Sequence, residues 1–299
     1  MGKLAAILRC MTSDFTKNIS VVLRGGLGNQ LFQYALARSL AIKNNAHIML
    51  DISDYKNNPD RIFKLDHFFI QADVTASHRV ATLAERIIDY IKPFHLKRFI
   101  FERHSGFDPA VLNAKHPVFL EGYWQNEKYF KDIRSELLQE ARLKAPMGPA
   151  AQKIADAIIT TPTSVSVHIR RGDYIRPGNK ERYDTCTPEY YARAMQAIST
   201  KISPVHFFIF SDDIEWVKNN ITFRDAVAVT YVSQSGIADY EALMLMSMCH
   251  HNIIANSSFS WWGAWLNTHD NKIIIAPQQW LHSDQYDTSD VVPKTWWKI

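Results

Sequence analysis

Apolar and polar positions alternate at period two over residues 164–169, with Val165, Val167 and Ile169 on one side and Ser164, Ser166 and His168 on the other. This pattern predicts a β-strand. The run breaks into Arg170, Arg171, Gly172 and Asp173, so two arginines leave the end of a rigid element. Near the start, an apolar run at 19–24 leads into G-G-L-G-N-Q. Residues 29–43 then carry Leu31, Ala35, Leu36, Leu40 and Ile42 at helical spacing, and 46–50 reads as a second strand ending at Asp51. Strand, glycine turn, helix and strand imply a parallel sheet with the turn on its ligand-binding edge. Between 54 and 116 the pattern weakens to one predicted helix at 81–91; a strand at 118–123 and a helix at about 126–141 follow. Residues 1–18 show no clear period and read as a partly ordered lead-in.

The second half is more regular. Thr187 reads as an N-cap with Pro188 at the first helical position, opening a helix to about 199. Strands at 205–210, 227–232, 251–256 and 272–276 alternate with helices at 214–220, at 237–248 and from 257 onward. This rhythm predicts a second doubly wound α/β domain. Prolines at 146, 149 and 162 mark the junction, giving an N-terminal unit at 1–155 and a C-terminal unit at 156–299. No sequence repeat links the halves.

Composition narrows the function. A chain of 299 residues with 46% hydrophobic and 21% charged residues can bury sizeable cores. A net charge of +4 suits anionic small molecules or an acidic membrane surface and is too weak to argue for nucleic acid. The apolar run at 4–8 falls far short of the roughly 20 residues that span a bilayer, and no signal peptide is apparent. Cys10, Cys186 and Cys249 lie far apart and form no metal-ligand pattern, which predicts a reduced, cytoplasmic protein without structural disulfides. No zinc, magnesium or P-loop spacing appears, so no metal is expected.

Gly26 and Gly28 have the first two spacings of the dinucleotide fingerprint, but its third glycine is Leu31, which opposes close helix-to-strand packing. What remains is a tight turn able to offer backbone donors to an anion, and a plain packing turn fits the glycines equally well. In a parallel second sheet, three strand ends converge. The first offers His168, Arg170, Arg171 and Asp173; the second Ser211, Asp212 and Asp213; the third, at Asn256, leads to Ser257 and Ser258 at a helix start. An arginine and a helix N-terminus suit a diphosphate, and carboxylates and amides suit a base or sugar. The plainer reading is a surface ion pair, an N-cap and a turn. Trp261, Trp262 and Trp265 read as core; Tyr123, Trp124 and Gln125 follow a strand end and are better candidates to contact a sugar, with core packing again the default for the two rings.

Five blocks carry a family resemblance. R-G-G-L-G-N-Q-L-F-Q-Y-A-L-A at 24–37, G-Y-W-Q-N-E-K-Y-F at 122–130, V-H-I-R-R-G-D-Y at 167–174, F-S-D-D at 210–213 and H-N-I-I-A-N-S-S-F-S-W-W-G-A-W-L at 251–266 resemble the bacterial-type α-1,2-fucosyltransferases, in that family's order. The resemblance implies two Rossmann-like domains facing a central cleft, the GT-B arrangement. It also implies inverting, metal-independent transfer of fucose from GDP-fucose to the 2-hydroxyl of a galactose-terminated oligosaccharide or glycolipid, in the cytoplasm or peripherally at the inner face of the membrane. By the same resemblance Arg170 holds the β-phosphate, and His168, Ser257, Ser258 and Phe259 line the nucleotide. Asn29 in the Gly26–Gly28 turn approaches from across the cleft. Where related sequences carry an aspartate suited to guanine, this chain has Ala242, and Glu241 is expected to substitute.

Direct displacement needs a side-chain base, for which Asp173 is the first candidate with Glu121 and Asp184 behind it, whereas a dissociative transition state could use the leaving phosphate itself. Asp184 is also a candidate acceptor contact. Ion pairing of Asp173 with Arg171 is the competing role. Two other functions fit the residues: a glycosyltransferase using a different sugar nucleotide, and a non-catalytic carbohydrate-binding protein using its tryptophans.

Overall fold

The computed structural model describes residues 17–58, 61–77, 79, 81–104, 106–175, 183, 186–224, 226–232, 236–281, 288 and 290–299, and of Asn57 and Asp173 the backbone only. The lead-in at 1–16, including Cys10, and Asp184 lie outside them. Two sheets form, and every strand pairing in both is parallel.

The first sheet contains β1 (Asn18–Val22), β2 (His47–Asp51), β3 (Asp73–Thr75), β4 (Phe99–Phe101) and β5 (Val118–Glu121), in the order β3-β2-β1-β5-β4. The second contains β6 (Ser164–Ile169), β7 (Val205–Ser211), β8 (Ala226–Val232), β9 (His251–Ile253), β10 (Ile274–Ala276) and β11 (Trp297–Lys298), in the order β11-β10-β9-β6-β7-β8. Strand order reverses between β1 and β5 in one sheet and between β6 and β9 in the other. Parallel sheets bind ligands in the crevice that such a reversal opens at the strands' carboxyl ends.

Helix α1 (Leu27–Asn44) begins where the glycine turn was read, and α2 (Leu83–Ile91) where the weak middle region showed its one helical stripe. The helix expected over about 126–141 is instead two 3-10 turns, Glu127–Tyr129 and Lys131–Ile133, followed by α3 (Arg134–Glu140). Tyr129, Phe130, Ile133 and Leu137 reach the core from this segment. In the second half α4 (Pro149–Ile159), α5 (Pro188–Ser199), α6 (Ile214–Asn220), α7 (Asp239–Met248) and α8 (Ser258–Trp265) cover the sheet. The Thr187 hydroxyl caps α5 by accepting from Tyr190 N–H at 3.4 Å. Helix α4 spans position 155 and packs Ala151, Ala155 and Ile158 with Phe208 and Phe210 of β7.

Strand β6 is buried on both faces. Its apolar side meets Tyr190, Tyr191, Ala194 and Ile198 of α5. Its polar side is not solvated: the Ser166 hydroxyl accepts from Asn252 Nδ2 at 2.7 Å, and Ser164 Oγ accepts from His250 N–H at 3.1 Å. Buried hydroxyls kept partnered in this way lock β6 against β9.

Helix α8 crosses between the sheets. Trp261, Trp262 and Trp265 are buried, as read, in a core that joins first-sheet residues such as Val21 and Leu120 to Ile274 and Ala276 of the second sheet. Phe32 of α1 lies 4.5 Å from Trp261, and Phe130 stacks on Trp262 at 5.3 Å between ring centres. Lys64 pairs with Asp239, and Lys128 with Asp290 at 2.7 Å, across the same junction.

Candidate active site

The carboxyl ends of the two sheets face one cleft of about 1030 Å³. On the first wall, Gly25 takes a left-handed φ of +77° that turns β1 into α1, and Gly26 is the N-cap. On the second wall, Ser257 caps α8, its hydroxyl accepting from Phe259 N–H at 3.4 Å. The two helix starts nearly touch: a Cβ on Gly28 would stand 2.5 Å from Phe259 N and closer still to the Ser258 backbone. Gly28 is therefore required for helix-to-helix approach. Neither helix has an acidic residue in its first turn. Two helix starts without acidic first turns thus face the cleft, which Arg24, Arg61, Lys64, Arg103 and Arg170 line together with Asp54, Glu102, Asp212 and Asp239. The paired backbone donors of the helix starts, with a slight excess of cations, fit a polyanion such as a diphosphate.

Arg170 leaves β6 at the strand reversal. Its Nη1 lies 2.8 Å from Asp212 Oδ2, and the other oxygen of Asp212 accepts from Arg171 N–H at 2.9 Å. Asp212 therefore fixes the guanidinium as well as lining the cleft. A Cβ at Gly172 would come 2.5 Å from Asp212 Oδ2, so this position too keeps the chain close. Arg171 faces away, stacked over Trp216 at 3.6 Å with Asp213 3.4 Å from its Nε. Asp213 itself caps α6.

Across the cleft the Asn29 amide oxygen accepts from Gln125 Nε2 at 2.8 Å, joining the glycine turn to the end of β5. Arg24 bridges Asp54 at 3.2 Å and Glu121 at 3.0 Å, so the Glu121 carboxylate is an ion-pair partner rather than a free base. Ser211 Oγ accepts from Asp213 N–H at 3.0 Å at the cleft floor. Asn256 lines the cleft, but its Nδ2 donates to Tyr183 O at 2.8 Å and Trp280 O at 2.9 Å.

His168 is buried beside Phe259, and its Nδ1 has no hydrogen-bond partner among the described residues. Burial, with the charge of Arg170 adding to it, pushes its pKa down to about 3, so the ring is neutral at physiological pH. His251 is lowered by the same causes, burial first and then neighbouring histidines, to about 4. Below an ordinary value of 6.5 the unfolded chain binds protons at these rings that the folded chain refuses. Stability present above that pH is therefore expected to fall as the pH drops, by up to about 1.4 kcal/mol per pH unit for each ring. Thermal melts from pH 7 to 5 check this, and His168→Asn should flatten the decline; melting temperatures that hold constant on acidification would contradict it.

Two expected site residues are not where the sequence put them. Glu241 is buried, with Oε1 accepting from Gly148 N–H at 2.6 Å and Oε2 from Ala238 N–H at 2.8 Å. At the third position of α7 its side chain reaches back to the helix start, as a capping glutamate does. It is committed there, and Ala242 and Asp239 line the cleft instead. Trp124 takes φ +57° and turns its ring into the core against Tyr129, so it is unavailable to a sugar. Tyr123 before it and Gln125 after it do line the cleft. The Asp173 backbone lies in the 3-10 turn Gly172–Ile175 that closes off β6.

Glu102 was not anticipated. It follows β4, lines the cleft, and accepts from Tyr123 N–H at 2.7 Å and Trp124 N–H at 2.9 Å. Burial raises its carboxyl pKa, an effect these two hydrogen bonds oppose. A three-residue strand in a weakly patterned region gives no sequence signal for it. Tyr174 and Tyr183, stacked 4.8 Å apart, form another part of the lining that the sequence did not mark.

Two Rossmann-like units joined by a common core, with a cleft between their strand ends, form the GT-B arrangement. Residues 86–299 match the sequence profile of glycosyl transferase family 11, and the chain belongs to that family. It is 36% identical to an alpha-1,2-colitosyltransferase of Escherichia coli over 289 residues, 93% of this chain and 97% of the relative. It is 31% identical to the O-antigen biosynthesis glycosyltransferase WbnK of Escherichia coli, over 87% of this chain and 93% of that one. With the galactoside 2-alpha-L-fucosyltransferase Sec1 of Mus musculus it shares 26% identity over 84% of this chain and 65% of the relative.

Proposed function

We propose that the protein transfers a 6-deoxyhexose, fucose or its 3-deoxy counterpart colitose, from a GDP-sugar to the 2-hydroxyl of a terminal β-galactoside, with inversion. The observation that carries this reading is that the abutting α1 and α8 N-termini and Arg170 line one cleft. In the transition state negative charge grows on the departing diphosphate, and donors fixed beforehand stabilise it without reorganising. Arg170 takes the β-phosphate, and the helix starts at Gly26–Gly28 and Ser257–Phe259 take the remaining phosphate oxygens. Neutral His168 contributes packing against the nucleotide. Tyr123 and Gln125 lie on the acceptor side. Asp173, by its place just after Arg170 and Arg171, is the proposed base for the acceptor hydroxyl.

The names of the relatives support both sugars, which differ by one hydroxyl. A site that hydrogen-bonds a hydroxyl rejects the analogue lacking it by about 10⁴-fold, whereas one that merely accommodates it discriminates far less. Turnover of GDP-fucose, GDP-colitose, GDP-mannose and UDP-galactose with lactose as acceptor therefore tests the assignment. Product from one of the first two at a kcat/KM well above the others is expected. Preference for UDP-galactose, or glycan binding without turnover of any donor, would overturn it.

A further inference from the structure

Helix α2 turns its apolar side outward. Leu83, Ile87, Ile88, Tyr90 and Ile91 are between 50 and 81% exposed, and Leu96 just beyond the helix is exposed as well. The buried residue is Asp89, whose carboxylate accepts from Arg98 N–H and Phe99 N–H, both at 2.9 Å. At 3.6 residues per turn the exposed apolar side chains occupy the half of the helix opposite Asp89. Thr82 and Glu85 make a capping box at its start. Contiguous apolar surface of this kind on a folded protein marks an interaction site.

Charge identifies the partner. Residues 79–103 hold six Lys and Arg against three acids. Asp89 is already paired with Lys92 at 2.9 Å, and Arg86, Arg98 and Arg103 form no ion pair among the described residues. Arg103 lies over Tyr90 at 5.3 Å, which sets its guanidinium beside the apolar side, while Arg86 lies over Phe101 of β4 at 4.8 Å on the flank of the helix. A second copy of the chain packed on a two-fold axis would bring these like charges together. An anionic bilayer complements both features, since interfacial helices bury an apolar face at the acyl boundary and set basic residues among the phosphates. No helix among the described residues is long and apolar enough to cross a membrane, so the contact is peripheral.

We infer that α2 seats the protein on an anionic lipid surface. Arg103 also lines the cleft, so docking there brings the first-sheet side of the cleft to the membrane, where a lipid-linked acceptor would present its glycan. That consequence for the acceptor rests on the proposed transfer reaction; the docking itself does not.

Flotation of the full-length protein with phosphatidylcholine vesicles, with and without phosphatidylglycerol, tests the inference in the absence of any sugar. The wild type is expected to float with the phosphatidylglycerol vesicles and to be released by high salt. The double change Ile87→Glu/Ile91→Glu should weaken binding by about tenfold or more while keeping the wild-type melting temperature. Arg98→Glu, which leaves the apolar side intact, should weaken it less and reduce the salt dependence. Failure of the wild type to float, or equal flotation of all three proteins, would overturn docking. A wild-type dimer that the double change splits, without vesicle binding, would assign the face to a second copy and overturn it equally. Loss of flotation leaves the proposed transfer reaction standing, and loss of turnover leaves docking standing.

Discussion

Arg170→Ala is expected to lower glycosyl transfer by about 10²–10³-fold, the range seen when one fixed donor to developing negative charge is removed. The guanidinium sits at the end of a fully buried strand and is steered by Asp212 at 2.8 Å, so it is oriented before the donor arrives. Arg170→Lys should recover little, because an ammonium group cannot present two parallel donors from the same position. Asp212→Asn should fall between, by about tenfold, since it loosens Arg170 without removing it. Stability should also fall, by about 1–3 kcal/mol, because Arg170→Ala leaves the buried Asp212 Oδ2 without its cation. Steady-state rates, GDP affinity by calorimetry and a thermal melt separate these effects. A folded Arg170→Ala variant with near-wild-type turnover would remove Arg170 from the mechanism.

Gly28→Ala is the second large effect, acting on stability and activity together. The new methyl would meet the backbone of Ser258 and stand 2.5 Å from Phe259 N, and backbone at a helix start cannot swing aside as a flexible side chain can. Overpacking of this kind costs about 1–3 kcal/mol. For a chain of this size each kcal/mol lowers the melting temperature by about 2–4 °C. Relief requires α1 and α8 to separate, which pulls two anion-binding helix starts out of alignment. Turnover should fall by about 10²-fold, as for other small misplacements of positioning groups. Gly26→Ala is the stability control: its methyl would lie 3.5 Å from Arg61 Nη1, an ordinary contact, and its φ of −79° suits any residue. Equal melting temperatures for the two alanine variants would show that the close approach at Gly28 is unimportant.

Much of this was legible in the sequence because the signals were local. The strand at Ser164–Ile169 and the helix at Ile214–Asn220 have the limits read from periodicity, and the Thr187 cap is where a Thr-Pro pair predicts it. The convergence of Arg170, Asp212 and Ser257 followed from one topological rule, that parallel strands present their carboxyl ends together. What failed was long-range. The partners of the polar side of β6, Asn252 and His250, arrive from 86 residues away, beyond any local pattern. Glu241 has the right charge for a base-reading residue, but its helix-start position and Gly148 commit it to backbone donors. Trp124 looks like a sugar platform only while its φ is unknown. Strands β3, β4 and β11 have three residues or fewer, too short for any period to show.

The tryptophans of α8 bear on how such an enzyme can diversify. Trp261 and Trp262 belong to the second half by chain order and sit in a core built from both sheets, so each half lacks part of its own interior when taken alone. Exposing one such ring costs on the order of 4 kcal/mol, a large share of the stability of a whole domain. Neither half is then a module that recombination could exchange intact. New acceptors have to be reached by altering residues at the strand ends, around Glu102 and Tyr123, where sequence can change without reopening the seam beneath.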